Sequence, residues 1–321
     1  MSGIVPVIDL RPWFDGTGKA AVARAVADAC ETIGFLVISG HGVDQGLIDN
    51  AFAAATAFYD LPQTDKDRLR PADGASPRGY HAIETKNLAK TLGYDNPPDL
   101  REQFYIGPLA DRSGAFAHLP HAAALYSPNI WPDAPSDYRL AMTRYYTAME
   151  GLGRALMRIF AVALEVPEAF FDDKIDRHFS TLPANHYPAP IGDPRPGQVR
   201  CGEHTDFGSL TILALNDAPG GLQVKTADGT WNDVTAQPGQ FIVNIGDMMQ
   251  RWTNGRWVST LHRVVNPPAD RRAESRRLSI GYFLHPNYDA EIACLPSCVG
   301  AHPPPVLAGE LMRQKFQARA V

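Results

Sequence analysis

Cysteine is scarce in this chain, with four among 321 residues. They stand at Cys30, Cys201, Cys294 and Cys298, and no two of them form a Cys-x-x-Cys pair. This scatter argues against a disulfide framework and against a thiolate-rich structural zinc site. Such cysteine usage is typical of a reducing compartment, so we expect a cytoplasmic protein.

An excess of basic charge is also lacking. The chain has 30 Lys and Arg against 35 Asp and Glu, a net charge of −5, which disfavours binding of nucleic acid through phosphate contacts. No apolar run approaches the ~18 residues that a membrane helix needs. The segment MSGIVPVIDL does not read as a signal peptide. We expect neither a nucleic-acid nor a membrane partner, and the oligomeric state stays open.

The composition that is present, 45% hydrophobic and 20% charged, is typical of a globular chain with a substantial core. Helical spacing of apolar residues marks segments 19–34 and 45–62, and over 137–165 it predicts one long amphipathic helix. From about 182 to 284, short β-rich runs alternate with Pro and Gly, which is typical of an antiparallel sandwich or barrel. This order predicts the α+β class.

The stretch GEHTDFGSLTIL, residues 202–213, contains a candidate metal site. In an extended chain, His204 and Asp206 point to the same face because strand side chains alternate. His262, flanked by β-branched residues in STLHRVVNP, is the best third ligand. Two imidazoles and one carboxylate leave coordination positions open, which suits non-haem Fe(II). The competing interpretation of the His-x-Asp pair is a polar pair at a strand end.

A second pattern suits a carboxylate ligand. Arg277 and Ser279, in RRLSIGYF, share a face if the segment is a strand. The guanidinium could then bind a carboxylate through two hydrogen bonds and the hydroxyl could add another. An exposed polar pair on an edge strand is the alternative. Asn185 and Tyr187, in NHYP, have the same offset just before the His-x-Asp segment, and by themselves they indicate little.

Taken in order, these motifs resemble the isopenicillin N synthase-like family of Fe(II)/2-oxoglutarate-dependent oxygenases. The resemblance runs along nearly the whole chain, through VPVIDL, ETIGFLVISGHGV, PPDLREQFYIG, NHYP, HTDFGSLTIL, GGLQV, VNIGDMMQRWTNGRWVSTLHRVVNP and RLSIGYFLHPN. It implies a double-stranded β-helix (jelly-roll, cupin-like) core with flanking helices, including one long central helix. It also implies an N-terminal region, residues 1–120, that packs on the core without being independent. Residues 121–321 would form the oxygenase core, with the long helix and a C-terminal tail.

The resemblance also implies roles for the residues above. The two histidines and the aspartate would bind the catalytic iron. Arg277 and Ser279, helped by Tyr187, would bind the C5 carboxylate of 2-oxoglutarate, and Asn185 would lie near its metal-chelating end. One departure is Pro183, at a position that is often basic in the family's plant enzymes.

The activity that the resemblance implies is oxidation of a small molecule, with hydroxylation as the expected outcome. Fe(II), 2-oxoglutarate and O₂ would be required, succinate and CO₂ would be released, and ascorbate would stimulate turnover. The candidate pocket residues are apolar or aromatic side chains near the motifs: Tyr80, Phe104, Tyr105, Phe207, Leu222 and Phe283. Arg101 is a further candidate, as an anchor for an acidic substrate, although a framework role suits its motif better.

Two other functions fit the same residues. Isopenicillin N synthase itself uses iron without 2-oxoglutarate, and Arg277 and Ser279 would then hold the carboxylate of the substrate. A non-catalytic jelly-roll protein with a vestigial metal site is the third hypothesis, although vestigial sites commonly lose a ligand. We expect Glu203, His186 and His285 to lie outside the metal site.

Overall fold

The computed structural model describes residues 4–72, 76–119, 121–190 and 192–319. Residue 120, at the predicted end of the N-terminal region, lies outside the described residues. The described strands are β1 (Val7–Asp9), β2 (Phe35–Ser39), β3 (Gly79–His81), β4 (Glu102–Ile106), β5 (Leu182–Tyr187), β6 (Cys201–His204), β7 (Leu210–Leu215), β8 (Leu222–Lys225), β9 (Trp231–Asp233), β10 (Phe241–Ile245), β11 (His262–Val264), β12 (Arg277–Leu284), β13 (Glu291–Ile292) and β14 (Val306–Leu307). The helices are α1 (Arg11–Phe14), α2 (Lys19–Thr32), α3 (Gln45–Tyr59), α4 (Gln63–Asp67), α5 (Ala122–Leu125), α6 (Tyr138–Ala163), α7 (Asp247–Trp252) and α8 (Ala308–Arg319).

Two sheets form the body of the protein. The larger has eight strands in the order β1-β2-β10-β7-β12-β5-β4-β3, and the smaller has four in the order β6-β11-β8-β9. Apart from the parallel pair β1 and β2, neighbouring strands of these sheets run antiparallel. Non-consecutive neighbours show that the chain crosses repeatedly between the sheets, as in a double-stranded β-helix. The predicted α+β jelly-roll class is confirmed.

The strand β2 shows why the larger sheet is apolar on both faces. Phe35 and Val37 belong to the cluster between the sheets, whereas Leu36 and Ile38 belong to the cluster beneath the helices. Alternation with period two sends successive side chains to opposite faces. A strand buried on both sides is therefore a continuous apolar run, as FLVIS is.

The helix α6 confirms the predicted long amphipathic helix. Every member of its predicted stripe is buried: Met142, Tyr145, Met149, Leu152, Leu156 and Phe160. The helix packs against α2, α3 and β12. Gly153 allows the approach to β12, because a Cβ there would lie 2.8 Å from a methyl carbon of Leu284. This packing fixes β12, the strand that begins with Arg277.

The N-terminal part of the chain contributes strands to the same large sheet. The strands β1 and β2 lie at one edge beside β10, and β3 and β4 lie at the other edge beside β5. Within the part of the chain that the structure describes, no helix has both the length and the apolar character needed to cross a membrane.

Candidate active site

The His-x-Asp segment and the distal histidine meet at one end of the smaller sheet. His204 is the last residue of β6 and His262 the first of β11, and the two residues pair directly across the antiparallel ladder. A register shift follows between His262 and Val264, the kind of bulge that often redirects side chains beside active sites. Strand pairing thus brings together two imidazoles that lie far apart in the sequence.

The carboxylate of Asp206 completes a compact cluster. Its Oδ1 lies 3.8 Å from Nε2 of His204 and 3.7 Å from Nε2 of His262. Among the described residues, these three form the one group of His, Cys, Asp or Glu side chains whose ligand atoms lie within 4.8 Å of one another. All three residues are buried. The structure therefore brings together the three ligands proposed from the sequence.

Each histidine is oriented by a carbonyl oxygen. Nδ1 of His204 contacts the carbonyl of Gly202 at 2.8 Å, and Nδ1 of His262 contacts that of Thr260 at 3.0 Å. A carbonyl oxygen only accepts, so each Nδ1 must carry the proton and each Nε2 presents a lone pair to the site. Burial, followed by the neighbouring His262, lowers the pKa of His204 well below its ordinary value. The imidazole of His204 is thus prepared as a neutral ligand.

The aspartate is oriented in the same way. Oδ2 of Asp206 accepts hydrogen bonds from Oγ1 of Thr211 at 2.5 Å and Nδ2 of Asn244 at 2.8 Å. Burial acts to raise the pKa of Asp206, but the two imidazoles and these hydrogen bonds outweigh it and hold the pKa below its ordinary value. Oδ1 therefore faces the histidines as a carboxylate oxygen.

The backbone around Asp206 is fixed by the start of α7. The backbone N–H of Asp247 donates to the carbonyl of Asp206 at 2.7 Å, and that of Met248 donates to the carbonyl of Gly208 at 3.1 Å. These are N–H groups that a helix leaves unpaired in its first turn. The carboxylate of Asp247 instead binds Ser259, so it supports the loop and not the imidazoles.

The proposed cosubstrate residues lie side by side on β12 and β5. Arg277 pairs with Tyr187 and Ser279 pairs with Asn185 in the antiparallel register. Cζ of Arg277 lies 5.1 Å from the centre of the Tyr187 ring. Arg277 is buried, and its Nη1 has no hydrogen-bond partner among the described residues. A buried, unsatisfied cationic donor is costly unless a ligand occupies it.

Hydrogen bonds between side chains connect these proposed cosubstrate residues to the neighbouring strand β4. Nε2 of Gln103 on β4 donates to Oδ1 of Asn185 at 2.6 Å, and Nδ2 of Asn185 donates to Oγ of Ser279 at 3.3 Å. Gln103 was not among the residues that the sequence indicated. A strand over 101–105 would have pointed to it, because Arg101, Gln103 and Tyr105 then share one face.

A cavity of about 600 Å³ lies against His204 and Asp206. Its apolar wall includes Phe207 and Phe283 from the core and Met312 from α8. Its polar wall comes from the N-terminal region and includes His81, Lys86, Arg101 and Gln103. Most of the exposed wall is apolar, so the cavity suits a small, partly apolar molecule.

The pocket residues proposed from the sequence divide into two sets. Phe207, Phe283 and Tyr105 line the cavity. Tyr80, Phe104 and Leu222 do not line it, and this corrects the proposed pocket.

The correction has a physical reason. Phe104 lies between Gln103 and Tyr105, so strand alternation turns it to the opposite face, where its ring packs on Phe58. Tyr80 faces the same way, since it pairs with Phe104 across the ladder. Leu222 is buried in the cluster between the two sheets.

Three residues that we expected outside the metal site, Glu203, His186 and His285, are not part of the triad. Glu203 points away from His204 and forms an ion pair with Arg263 at 3.4 Å. His186 stacks on the ring of Tyr59 on the outer face of β5. His285 lines the cavity without joining the triad.

Arg101 also lines the cavity, but its guanidinium forms an ion pair with Asp99 at 3.2 Å. The other carboxylate oxygen of Asp99 accepts from the backbone N–H of Gly202 at 3.0 Å, directly before the metal-site residues. Arg101 thus holds Asp99, and Asp99 holds the backbone of β6. This is the structural role that the sequence motif of Arg101 suggested.

Comparison with known proteins places this geometry in a family. Residues 5–134 match a family described as the N-terminal region of non-haem dioxygenases in morphine synthesis. Residues 179–286 match the 2OG-Fe(II) oxygenase superfamily. Validamycin A dioxygenase from Streptomyces hygroscopicus subsp. limoneus is 33% identical over 325 residues, which cover 98% of this chain and 86% of that protein. A homoarginine-6-hydroxylase from Arabidopsis thaliana is 30% identical, over 94% of this chain and 82% of its own length.

Solved structures agree. A full-length Neurospora crassa protein in complex with alpha-KG superposes with a TM-score of 0.85 at 28% identity, covering 99% of this chain and 97% of that one. A 2OG-Fe(II) oxygenase family protein from Caulobacter crescentus gives a TM-score of 0.82 at 31% identity, covering 98% and 99%.

The chain belongs to the isopenicillin N synthase-like family of 2-oxoglutarate- and Fe(II)-dependent oxygenases. It is a dioxygenase that uses Fe(II), 2-oxoglutarate and O₂, and couples the decarboxylation of 2-oxoglutarate to oxidation of a small molecule. Of the three functions that the sequence left open, the 2-oxoglutarate-dependent one is confirmed.

Proposed function

We propose that this dioxygenase is a hydroxylase whose iron is bound by His204, Asp206 and His262. The observation that carries the proposal is the convergence of their three ligand atoms within 4.8 Å. The remaining polar atoms of the same side chains are already engaged by the protein. Two neutral imidazoles and one carboxylate form the donor set of non-haem Fe(II) oxygenases. A structural zinc site would more often be closed and rich in thiolates.

The 2-oxoglutarate site that we propose is formed by Arg277, Ser279, Tyr187 and Asn185. The unsatisfied Nη1 of buried Arg277 fits the C5 carboxylate, because guanidinium groups bind carboxylates through two parallel hydrogen bonds. Ser279, two residues along the same face, adds a hydroxyl. Asn185, held between Gln103 and Ser279, would lie towards the keto-acid end of the ligand.

Bound iron would activate O₂ with the electrons released by decarboxylation of 2-oxoglutarate. One oxygen atom enters succinate and the other enters the substrate, so that 2-oxoglutarate, O₂ and a C–H bond give succinate, CO₂ and a C–OH group. The protein binds and orients the reactants, and its buried walls exclude water from the site. Asn244 and Thr211 keep one oxygen of Asp206 directed at the metal position.

We propose that the substrate occupies the cavity with an apolar part against Phe207 and Phe283. A polar part would face His81 and Gln103 on the opposite wall. Burial, together with nearby Lys86, lowers the pKa of His81 to about 3, so its imidazole is neutral. Nε2 of His81 is buried and has no hydrogen-bond partner among the described residues, so it can bind a polar group of the substrate.

The experiment that tests the reaction is a screen of small metabolites under Fe(II), 2-oxoglutarate and ascorbate. A true substrate should stimulate succinate release and gain one oxygen atom per succinate formed, which mass spectrometry measures. Substrate oxidation without 2-oxoglutarate would overturn the cosubstrate assignment. Oxidation with succinate release but with loss of two hydrogens would overturn hydroxylation in favour of desaturation or ring closure.

The Arg277→Leu variant tests the cosubstrate site separately. We expect about 10- to 100-fold weaker 2-oxoglutarate binding, since hydrogen bonds to charged groups contribute about 1.5–3 kcal/mol. Iron occupancy should stay unchanged, because Arg277 is not a metal ligand. The Asp206→Ala variant is the reciprocal control, in which iron binding is lost. Unaltered dependence on 2-oxoglutarate in Arg277→Leu would contradict the assignment.

We also propose that ascorbate stimulates turnover, and that the enzyme works in the cytoplasm, a location supported by its four free cysteines.

The proposal that residues 1–120 do not form an independent unit is supported by the strands that they contribute to both edges of the large sheet. Expression of residues 1–120 alone tests it. A fragment that folds cooperatively by itself would overturn the proposal.

A further inference from the structure

A second buried arginine lies beside the proposed cosubstrate site. Arg200 directly precedes β6 and is 1% exposed. Its Nη1 donates to the carbonyl of Pro219 at 2.9 Å, and its Nη2 donates to the carbonyl and, at 3.1 Å, to the hydroxyl of Ser275. Its Nε has no hydrogen-bond partner among the described residues. Arg200 was not among the candidates that the sequence indicated.

Arg200 and Arg277 approach the same aromatic ring. Their Cζ atoms lie 5.9 and 5.1 Å from the centre of the Tyr187 ring. Within the described part of the chain, neither guanidinium forms a salt bridge with a carboxylate. Burial, followed by repulsion from Arg277, lowers the pKa of Arg200 to about 10, so Arg200 is charged at pH 7. Arginine side chains are not deprotonated in proteins, so Arg277 is charged as well.

Two buried positive charges without a counter-charge are unfavourable, because each has lost its hydration and each repels the other. A carboxylate bound at Arg277 would offset both effects. The oxygen atoms of Pro219 and Ser275 that hold Arg200 are uncharged, so they leave its positive charge uncompensated. In a site of low polarity, such a charge acts over several ångströms.

We propose that Arg200 is a positioning residue for the cosubstrate, which orients Tyr187 and adds a second positive charge that favours ligands with a carboxylate at C5. This rests on the proposed 2-oxoglutarate site at Arg277. Arg200 acts through the Tyr187 ring and through its electrostatic field, because its Nη atoms are occupied by oxygen atoms of the protein. Its role is therefore to discriminate between dicarboxylate and monocarboxylate oxo acids.

The test compares two probes, 2-oxoglutarate and 2-oxopentanoate. Both have five carbons and the same keto acid, but 2-oxopentanoate carries a methyl group where 2-oxoglutarate carries the C5 carboxylate. Dissociation constants are measured by calorimetry with the Mn(II)-loaded full chain, for wild type and the Arg200→Gln variant. We expect 2-oxoglutarate to bind about 5- to 20-fold more weakly in Arg200→Gln, since the lost charge acts across a few ångströms of protein. Binding of 2-oxopentanoate should change less than about twofold, because it has no C5 charge.

A matched control is Arg78→Gln. Arg78 is also a buried guanidinium held by carbonyl groups, those of Pro77, Leu125 and Ser127, and burial likewise lowers its pKa to about 10. These contacts are with Pro77, Leu125 and Ser127 and not with Tyr187. Arg78→Gln should lower thermal stability as Arg200→Gln does, without changing the ratio of the two dissociation constants.

The Arg200→Lys variant separates charge from structure. It keeps the charge, so discrimination between the two probes should stay within about threefold of wild type. If Arg200→Gln does not fold, the Arg200→Lys variant provides the test of discrimination between the two probes. Equal weakening of both probes in Arg200→Gln, an unchanged ratio, or loss of discrimination in Arg200→Lys would each overturn the proposal.

Arg277→Leu, measured with the same probes, distinguishes this proposal from the function on which it rests. If Arg277→Leu keeps the preference for 2-oxoglutarate, the cosubstrate site itself is wrongly placed. If Arg277→Leu abolishes the preference while Arg200→Gln retains it, only the role of Arg200 fails.

Discussion

At the scale of single residues, each of the three side chains proposed to bind iron uses a second polar atom to bind the protein. The two histidines donate to carbonyl groups, and Asp206 accepts from Thr211 and Asn244. Such contacts fix the side-chain orientation before the metal arrives, so little conformational entropy is lost on binding. Removing a supporting residue should therefore weaken metal binding without removing a ligand.

The Asn244→Leu variant tests this support. We expect about tenfold weaker Fe(II) binding, in line with the roughly 10- to 100-fold losses seen when residues that orient ligands are removed. Anaerobic Fe(II) titration measures it. Asn232→Ala, which changes a side chain bound only to Thr226 and Thr230, is the control and should bind iron as wild type does. Equal affinities in Asn244→Leu and wild type would show that Asp206 needs no such support.

The Gln103→Leu variant tests the hydrogen bonds that run from Gln103 through Asn185 to Ser279. Asn185 would lose a hydrogen bond of 2.6 Å, and a buried amide would lose its partner. Since a buried hydrogen bond contributes about 0.5–1.5 kcal/mol, we expect roughly 2- to 10-fold weaker 2-oxoglutarate binding. The measurement is anaerobic titration with 2-oxoglutarate. Unchanged affinity would mean that Asn185 keeps its orientation through Ser279 alone.

At the scale of elements, the C-terminal helix forms part of the cavity wall. The helix α8 contributes Met312 to the cavity wall and packs on the short 3-10 helix Leu88–Leu92. Lys315 fixes it to the core through an ion pair with Asp247 at 2.6 Å and lies 5.2 Å from the centre of the Phe207 ring. The position of α8 thus depends on Asp247, the first residue of α7, whose backbone N–H also binds the carbonyl of Asp206.

The Lys315→Met variant should loosen α8 specifically. The pair is partly exposed, with Lys315 at 36%, so solvent screening limits its contribution to below about 1 kcal/mol. We expect about two- to fivefold faster hydrogen–deuterium exchange in α8 and no change in α6. Lys19→Met, which removes an exposed pair with Glu168, should leave α8 unchanged. Unaltered exchange in Lys315→Met would show that apolar packing alone holds the helix.

At the scale of the whole molecule, a buried polar cluster joins the N-terminal region to the core. Glu102 on β4 pairs with Lys66 of α4 at 3.0 Å and with Nδ1 of His186 on β5 at 2.7 Å, and it accepts from the hydroxyl of Tyr80. Burial acts to raise the pKa of Glu102, but these three partners outweigh it and hold the pKa below the ordinary value of 4.5. The cluster therefore requires an ionised carboxylate.

The acid stability of the protein should reflect this cluster. Because the folded-state pKa of Glu102 is lowered, its stabilisation is complete above pH 4.5 and is lost as the pH falls below that value. The Glu102→Gln variant should lose about 3–5 kcal/mol at pH 7, since Lys66 is left buried without its partner. Its stability should then fall less steeply than that of wild type below pH 4.5. Urea unfolding across pH measures both effects.

The control for that prediction is Glu168→Gln. Glu168 forms an exposed ion pair with Lys19, which contributes less than about 1 kcal/mol. A loss in Glu102→Gln as small as in this control would show that the cluster does not stabilise the contact between the N-terminal region and the core.

Patterns in the sequence predicted the α+β class, the long helix and the three residues proposed to bind iron, whereas the jelly-roll core was implied by the family resemblance. The long helix and the His-x-Asp pair depend on spacing along one element, as in the offset of two between His204 and Asp206. His262 was proposed from its β-branched neighbours, and the family resemblance supported that choice, because no local spacing links two strands that far apart in the chain.

Only the tertiary structure decided which residues form the cavity. Phe104 and Tyr105 are neighbours of similar character, and the register of β4 against β5 turns one into the core and the other towards the cavity. A shift by one residue would exchange them. Likewise, the contact of Arg200 with Tyr187 and the place of α8 in the cavity wall join segments distant in sequence. Such contacts depend on how whole elements pack, a property that no single stretch of residues contains.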